Sequence, residues 1–163
     1  MGNNSKDFGV AYIRLVEGQE PEREIYMNGF ANQNSFAPTI FGKKRKINQQ
    51  SSLEDYHDVE LFRQGKQEIE IIIGSEEIDK VFAYTSKDSR IKNKDKYNQY
   101  IGIPVFCNNE KMVGLLEIVC FNEAKIGLTY KELDEVAKKF LVPYSYLFLL
   151  LHKLEKALLA KPT

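Results

Sequence analysis

Cysteine is scarce in this chain: Cys107 and Cys120 are the only two. Two thiols cannot make the disulfide framework that staples small secreted domains. Each lies in or beside an apolar run, where cysteine acts as a small buried hydrophobe. A charge surplus is also missing, because 23 Lys and Arg balance 23 Asp and Glu. That balance argues against nucleic acid as the partner, since dedicated binders carry a basic excess. No apolar run approaches the ~20 residues of a spanning helix, and the most apolar stretch, Tyr144 to Leu151, is bounded by Lys139 and His152. Met1 to Asp7 lacks the apolar segment of a signal peptide. These absences together predict a cytoplasmic protein with no membrane partner.

Catalytic signatures are equally sparse. There is no glycine-rich phosphate loop, no zinc spacing and no defensible Ser/His/Asp order, so no catalytic residue is assigned and no cofactor is specified. Asp55, His57 and Asp58 cluster in sequence, but on a helix only positions 55 and 58 share a face. The one other histidine is His152, so no metal ligands are assigned. Lys43 to Lys46 is a basic run that reads as a solvated helix or loop. Lys87 to Lys96 reads as a polar surface loop.

What is present is enough for one core. The chain has 163 residues, 43% hydrophobic and 28% charged, which suits a single domain with an appended helix. Phe8 to Val16 is apolar on both alternating faces and reads as a central strand. Glu24 to Phe30 follows a polar turn and reads as its hairpin partner. Asn32 to Ser52 reads as a loop with one short helix. Leu53 to Gln64 reads as a helix with Ser52 as N-cap and Gly65 as its stop. Glu68 to Ile73 is a strand ended by Gly74, and a helix starts at Ser75 with Ile78, Val81 and Phe82 as its stripe. Tyr100 to Phe106 and Met112 to Phe121 form the strongest hairpin. Thr129 with Glu132 forms a capping box for a helix that runs to about Ala160, interrupted near Pro143. The order predicts an α+β fold: an antiparallel sheet of five or six strands with helices on its faces and a long C-terminal helix. Glu117, mid-strand, is expected to point outward.

Tyr97 to Val105, then Asn109 to Ile118, then Leu128-Thr129-Tyr130-Lys131-Glu132-Leu133 give an apolar strand with Pro104, a polar turn, an apolar strand with Gly114, and a Thr-initiated helix. This stretch resembles the fourth-strand region onward of GAF domains. Pro104 marks an edge or bulge and Gly114 a close backbone approach. The resemblance implies a GAF-like fold and a non-enzymatic sensory or regulatory domain that binds a small molecule, dimerises and relays a signal. Departures narrow it. Cys120, Phe121, Leu128 and Glu132 stand where cyclic-nucleotide binders carry Asn, Lys, Phe and Asp, and no cysteine stands where bilins attach. Only seven residues precede the first strand, where such domains usually carry a helix. The GAF-type free methionine sulfoxide reductases are an alternative that would need Cys107 and Cys120 as thiolates.

Leu133, Ala137, Phe140, Tyr144, Leu147, Leu151, Leu154 and Leu158 recur at alternating four-three spacing, a heptad seam. Tyr146, Phe148, Leu149, Leu150 and Leu159 add apolar residues off that seam. A helix apolar nearly all round is buried on two sides, so one side is expected on the home sheet and the other in a homodimer. The expected division is a GAF-like domain over 1–142 and a dimerisation helix over 143–163, with Tyr144, Leu147, Leu151, Leu154 and Leu158 at the interface. Phe41, Phe82, Tyr84 and Tyr100 are the ligand-pocket candidates, because such pockets are mainly apolar. The other open reading is a dimerisation scaffold whose pocket is filled by its own side chains.

Overall fold

A computed structural model describes residues 7–16, 24–31, 44–47, 57–81, 97–108, 111–121 and 123–160. Six strands form one antiparallel sheet in the order β3-β2-β1-β6-β5-β4. They are β1 (Phe8–Val16), β2 (Glu24–Ala31), β3 (Lys44–Lys46), β4 (Glu70–Ile73), β5 (Tyr97–Cys107) and β6 (Lys111–Phe121). Helices α1 (His57–Gln64) and α2 (Ser75–Val81) send Val59, Leu61, Phe62 and Ile78 onto one face. The other face carries a C-terminal arm made of α3 (Tyr130–Val136), a π-helical turn (Ala137–Leu141) and α4 (Val142–Leu159). The α+β class with its long C-terminal helix is as the sequence pattern requires.

Every residue of β6 after Lys111 is buried, because β6 lies mid-sheet with helices on both sides. Its odd-numbered residues Leu115, Val119 and Phe121 join the α1-side core, and Leu116 and Ile118 join the α3-side core. β1 alternates likewise, with Ala11, Ile13 and Leu15 toward α1 and Tyr12 toward α4. That two-sided burial is why both strands read as continuous apolar runs.

Two glycines make room for two tyrosines, one on each face. A Cβ on Gly102 would lie 2.6 Å from Tyr100 Oη, and a Cβ on Gly114 would collide with the ring and hydroxyl of Tyr12. The close approach expected at Gly114 is therefore made by a side chain crossing from β1. Pro104 lies past Gly102, the last β5 residue paired to β4, so it stands where β5 outruns its neighbour and loses no ladder bond there. A bulge follows between Val105 and Phe106.

Several local stops are as expected. Gly65 at φ 62° accepts the left-handed turn after α1, with its N–H donating to Leu61 O at 3.0 Å. Thr129 Oγ1 accepts from Glu132 N–H, and Glu132 Oε2 accepts from Leu128 and Thr129 N–H at 2.7 and 3.0 Å. Those backbone donors hold the Glu132 carboxyl below its usual range. Ser52 and the start expected for α1 lie outside the described residues.

Two expectations are corrected. Within the basic run, Lys44 to Lys46 is not loop or helix but the edge strand β3, paired to β2 from Glu24 to Tyr26. A strand whose outer side meets water can be made of lysines, so its composition mimics a solvated loop. Ile47, just after it, is buried, and its carbonyl accepts from the Arg63 guanidinium at 3.2 and 3.3 Å, tying the edge to α1. Glu117 does not face outward. It is 4% exposed and turned into the α1-side core.

Gly114→Ala is expected to cost about 1–3 kcal/mol through overpacking against Tyr12. Urea unfolding of Gly114→Ala, Tyr12→Leu and the double variant should show a coupling that returns most of that loss.

Candidate functional site

On the α1 side of the sheet, polar chemistry gathers within the apolar core. Register places Glu117 between Ala11 on β1 and Gly102 on β5, with Glu70 of β4 next in the same row. The small neighbours leave the Glu117 carboxylate room, and Tyr100, whose ring overlies Gly102, donates its hydroxyl to Glu117 Oε1 at 2.9 Å. Burial first, then the Glu117 charge, pushes the Tyr100 phenol well above its ordinary range. It therefore remains a donor at every physiological pH.

His57, the first residue of α1, stands edge-on to the Tyr100 ring at 5.8 Å and pairs through Nε2 with Glu70. Lys66 Nζ donates to the other Glu70 oxygen at 2.6 Å. Burial works to raise the Glu70 carboxyl, but the hydrogen bonds and charges of His57 and Lys66 outweigh it and hold that carboxyl below its usual value. Asp58 is buried beside them. The row thus joins α1, β4, β5 and β6 through three carboxylates, an imidazole, an ammonium and a phenol. Such a set can present acceptors and a fixed hydroxyl to a bound molecule, and it can equally serve as a polar lock between α1 and the sheet.

Of the pocket candidates, Tyr100 lies at the centre of this row and is almost wholly buried. Phe41, Phe82 and Tyr84 lie outside the described residues. His57 and Asp58 belong to no group among the described residues that could hold a metal ion, and His57 is paired with Glu70; Asp55 lies outside the described residues. Sequence reasoning missed Glu70 and turned Glu117 the wrong way. The available signal was a glutamate inside an apolar strand, with no local means of telling inward from outward.

Cys120 is not set up as a thiolate. Burial pushes the Cys120 thiol up to about 11, and Cys107 is half-buried.

On the opposite side, α4 lays one stripe on the sheet. Ser145 and His152 are buried, and Phe148 stacks on Tyr12 with ring centroids 4.1 Å apart. Arg14 Nη1 donates to both carboxylate oxygens of Glu155 at 2.7 and 3.0 Å. Within the segment 143–163, expected as an extension, Ser145 to Glu155 is thus seated on the sheet. Its outer side is apolar: Phe140, Tyr144, Leu147, Leu151, Leu154 and Leu158 are each between 51 and 65% exposed. The expected seam is therefore split. Leu133 and Ala137 are fully buried on the sheet, while every seam residue beyond them faces away from it. Tyr146, Leu150 and Leu159 widen the outer patch. No helix of the described residues is long and apolar enough to cross a membrane.

The Glu70 lock has a pH signature. Its carboxyl is lowered in the folded protein, so its stabilisation is complete above the unfolded value of ~4.3 and is lost as pH falls through the lower folded value. Glu70→Gln is expected to lower stability at pH 7 by about 1–3 kcal/mol and to flatten the acid limb of stability, both read by urea unfolding between pH 3 and 7. Compared with protein-family models, with curated proteins and with solved structures, the chain matches none.

Proposed function

We propose that this chain is a non-enzymatic, GAF-like regulatory module that works as a homodimer paired through α4 and relays the state of its α1-side face to a partner domain or protein. The observation that carries this reading is the outer stripe of α4. Five large side chains at heptad spacing stand more than half exposed on it, with Phe140 of the π-turn continuing the stripe. Leaving each wet forfeits about 1.5–3 kcal/mol, and contiguous exposed apolar patches of this kind mark interfaces. A second copy suits the stripe because a four-three seam is complementary to itself. The resemblance carried by β5, the following turn, β6 and the capped α3 supports the family reading. The polar row around Glu117 supports a small-molecule site, since a few fixed polar groups on an apolar floor are what ligand pockets use.

A second reading, a scaffold without ligand, is favoured by one observation. The Tyr100 ring already fills the space over Gly102 and satisfies Glu117. Native mass spectrometry of gently purified protein separates the two: a dimer carrying extra small-molecule mass supports sensing, and a dimer at polypeptide mass supports the scaffold. The pairing itself is tested by sedimentation equilibrium. The wild-type chain is expected to be a dimer, and Leu147→Glu/Leu151→Glu is expected to weaken it at least ~100-fold without loss of secondary structure by circular dichroism. A monomeric wild-type chain at high micromolar concentration would overturn the reading.

A further inference from the structure

The C-terminal arm carries one heptad seam in sequence and two faces in space, and the π-turn is what divides them. In an unbroken α-helix the residues sharing a face with Leu133 and Ala137 are Phe140, Tyr144, Leu147, Leu151 and Leu154. Those are the residues that face outward. The sheet-facing or sheet-bonded positions are instead Leu141, Ser145, Phe148, His152 and Glu155. Each is one residue later than its seam counterpart. Within the turn, Val142 N–H donates to Ala137 O, five residues back. This adds one residue to the helix and rotates everything after it by about 100°.

We infer that the π-turn is a register switch that decides whether the pairing face is presented to a second copy or folded onto the sheet; this inference rests on the pairing reading above. Three groups hold the outward register. Pro143 has no N–H for the Lys139 carbonyl, and its ring clashes with that carbonyl in a regular helix, which the wider turn relieves. Phe148 stacks on Tyr12, and Glu155 chelates Arg14.

The inward register has its own support. It would place Tyr144, Leu147 and Leu151 on the apolar sheet face and return Ser145, His152 and Glu155 to water, which is the better match of side chain to surroundings for a lone chain. Space for the larger side chain exists: a groove of about 230 Å³ beside Ser145 is lined by Ile69, Ile103, Pro104, Val105 and Leu149. The Tyr12 hydroxyl, buried under Phe148, has no hydrogen-bond partner among the described residues in the outward register. A second copy covers the leucines only when they point out, so dimerisation selects the outward state and a lone chain gains by the inward one.

The test uses two variants of the full chain in a Cys107→Ser background, each with His152→Cys as a reporter and compared with the reporter chain alone. Arg14→Ala/Pro143→Ala releases two of the three holds. The same pair with Lys138 deleted takes out the extra residue, so a regular helix now keeps the outward register. The first variant is expected to dimerise at least ~10-fold more weakly by sedimentation and to alkylate at position 152 at least ~10-fold faster with iodoacetamide. The deletion is expected to restore both values to those of the reporter chain. If the first variant keeps the parent dimer constant and the parent alkylation rate, the register is fixed and the switch is overturned while pairing stands. If the reporter chain and wild type are both monomeric, pairing fails. Protection at position 152 then still decides the switch, because an alkylation rate unchanged between the variants overturns it on the monomer.

Discussion

Burial of β6 on both faces is the constraint from which the architecture follows. A strand with ten consecutive buried residues needs a layer on each side of the sheet, and neither layer can be omitted without wetting half of it. On one side the cover is short, α1 and α2, and α1 is tied down by polar groups: His57 to Glu70 and Arg63 to Ile47 O. On the other side the cover is a single long arm, anchored at its beginning by the capping box and by Gln99. The Gln99 amide donates to Gly127 O at 2.6 Å and accepts from Ile126 N–H at 2.8 Å. The two layers thus differ in kind: one is locked by charge and hydrogen bonds, the other pinned at one end and held further along by a stack and an ion pair.

That asymmetry bears on the proposed mechanism. The polar row and the C-terminal arm lie on opposite faces of the same strands. Glu117 turns toward α1, while its neighbours Leu116 and Ile118 support the arm. Two tyrosines lie over two glycines on opposite sides of adjacent strands. What the two faces share is the backbone of β5 and β6, which carries both glycines.

How much of this was legible in the sequence depended on whether the signal was local. The β5–β6 hairpin, the Gly65 stop and the Thr129–Glu132 box are set by residues within a few positions of one another, and all three are found where their residues put them. β3 was missed because an edge strand needs only one partner, and its three basic residues look like any solvated run. Glu117 was misplaced because period-two alternation gives parity without telling which parity is buried when both faces are apolar. The heptad seam was read correctly as a pattern, yet its single continuous face does not exist in the fold. A one-residue slip in a helix is invisible to any count of apolar spacing, although Pro143 was the visible reason to suspect an interruption.

The edges of the sheet have a consequence for how copies of this protein meet. One edge strand is lysine-rich, with Lys44 and Lys46 exposed, and the other is only four residues long. Where β5 extends past that short strand, Pro104 stands two residues beyond the last paired position. Strand-to-strand addition is therefore discouraged along both borders. Two molecules brought together in a crowded solution meet charge or a missing donor at the sheet, and bare hydrocarbon on the arm. The pairing proposed for α4 is a finite, closed contact, unlike the open-ended growth that a bare sheet edge permits.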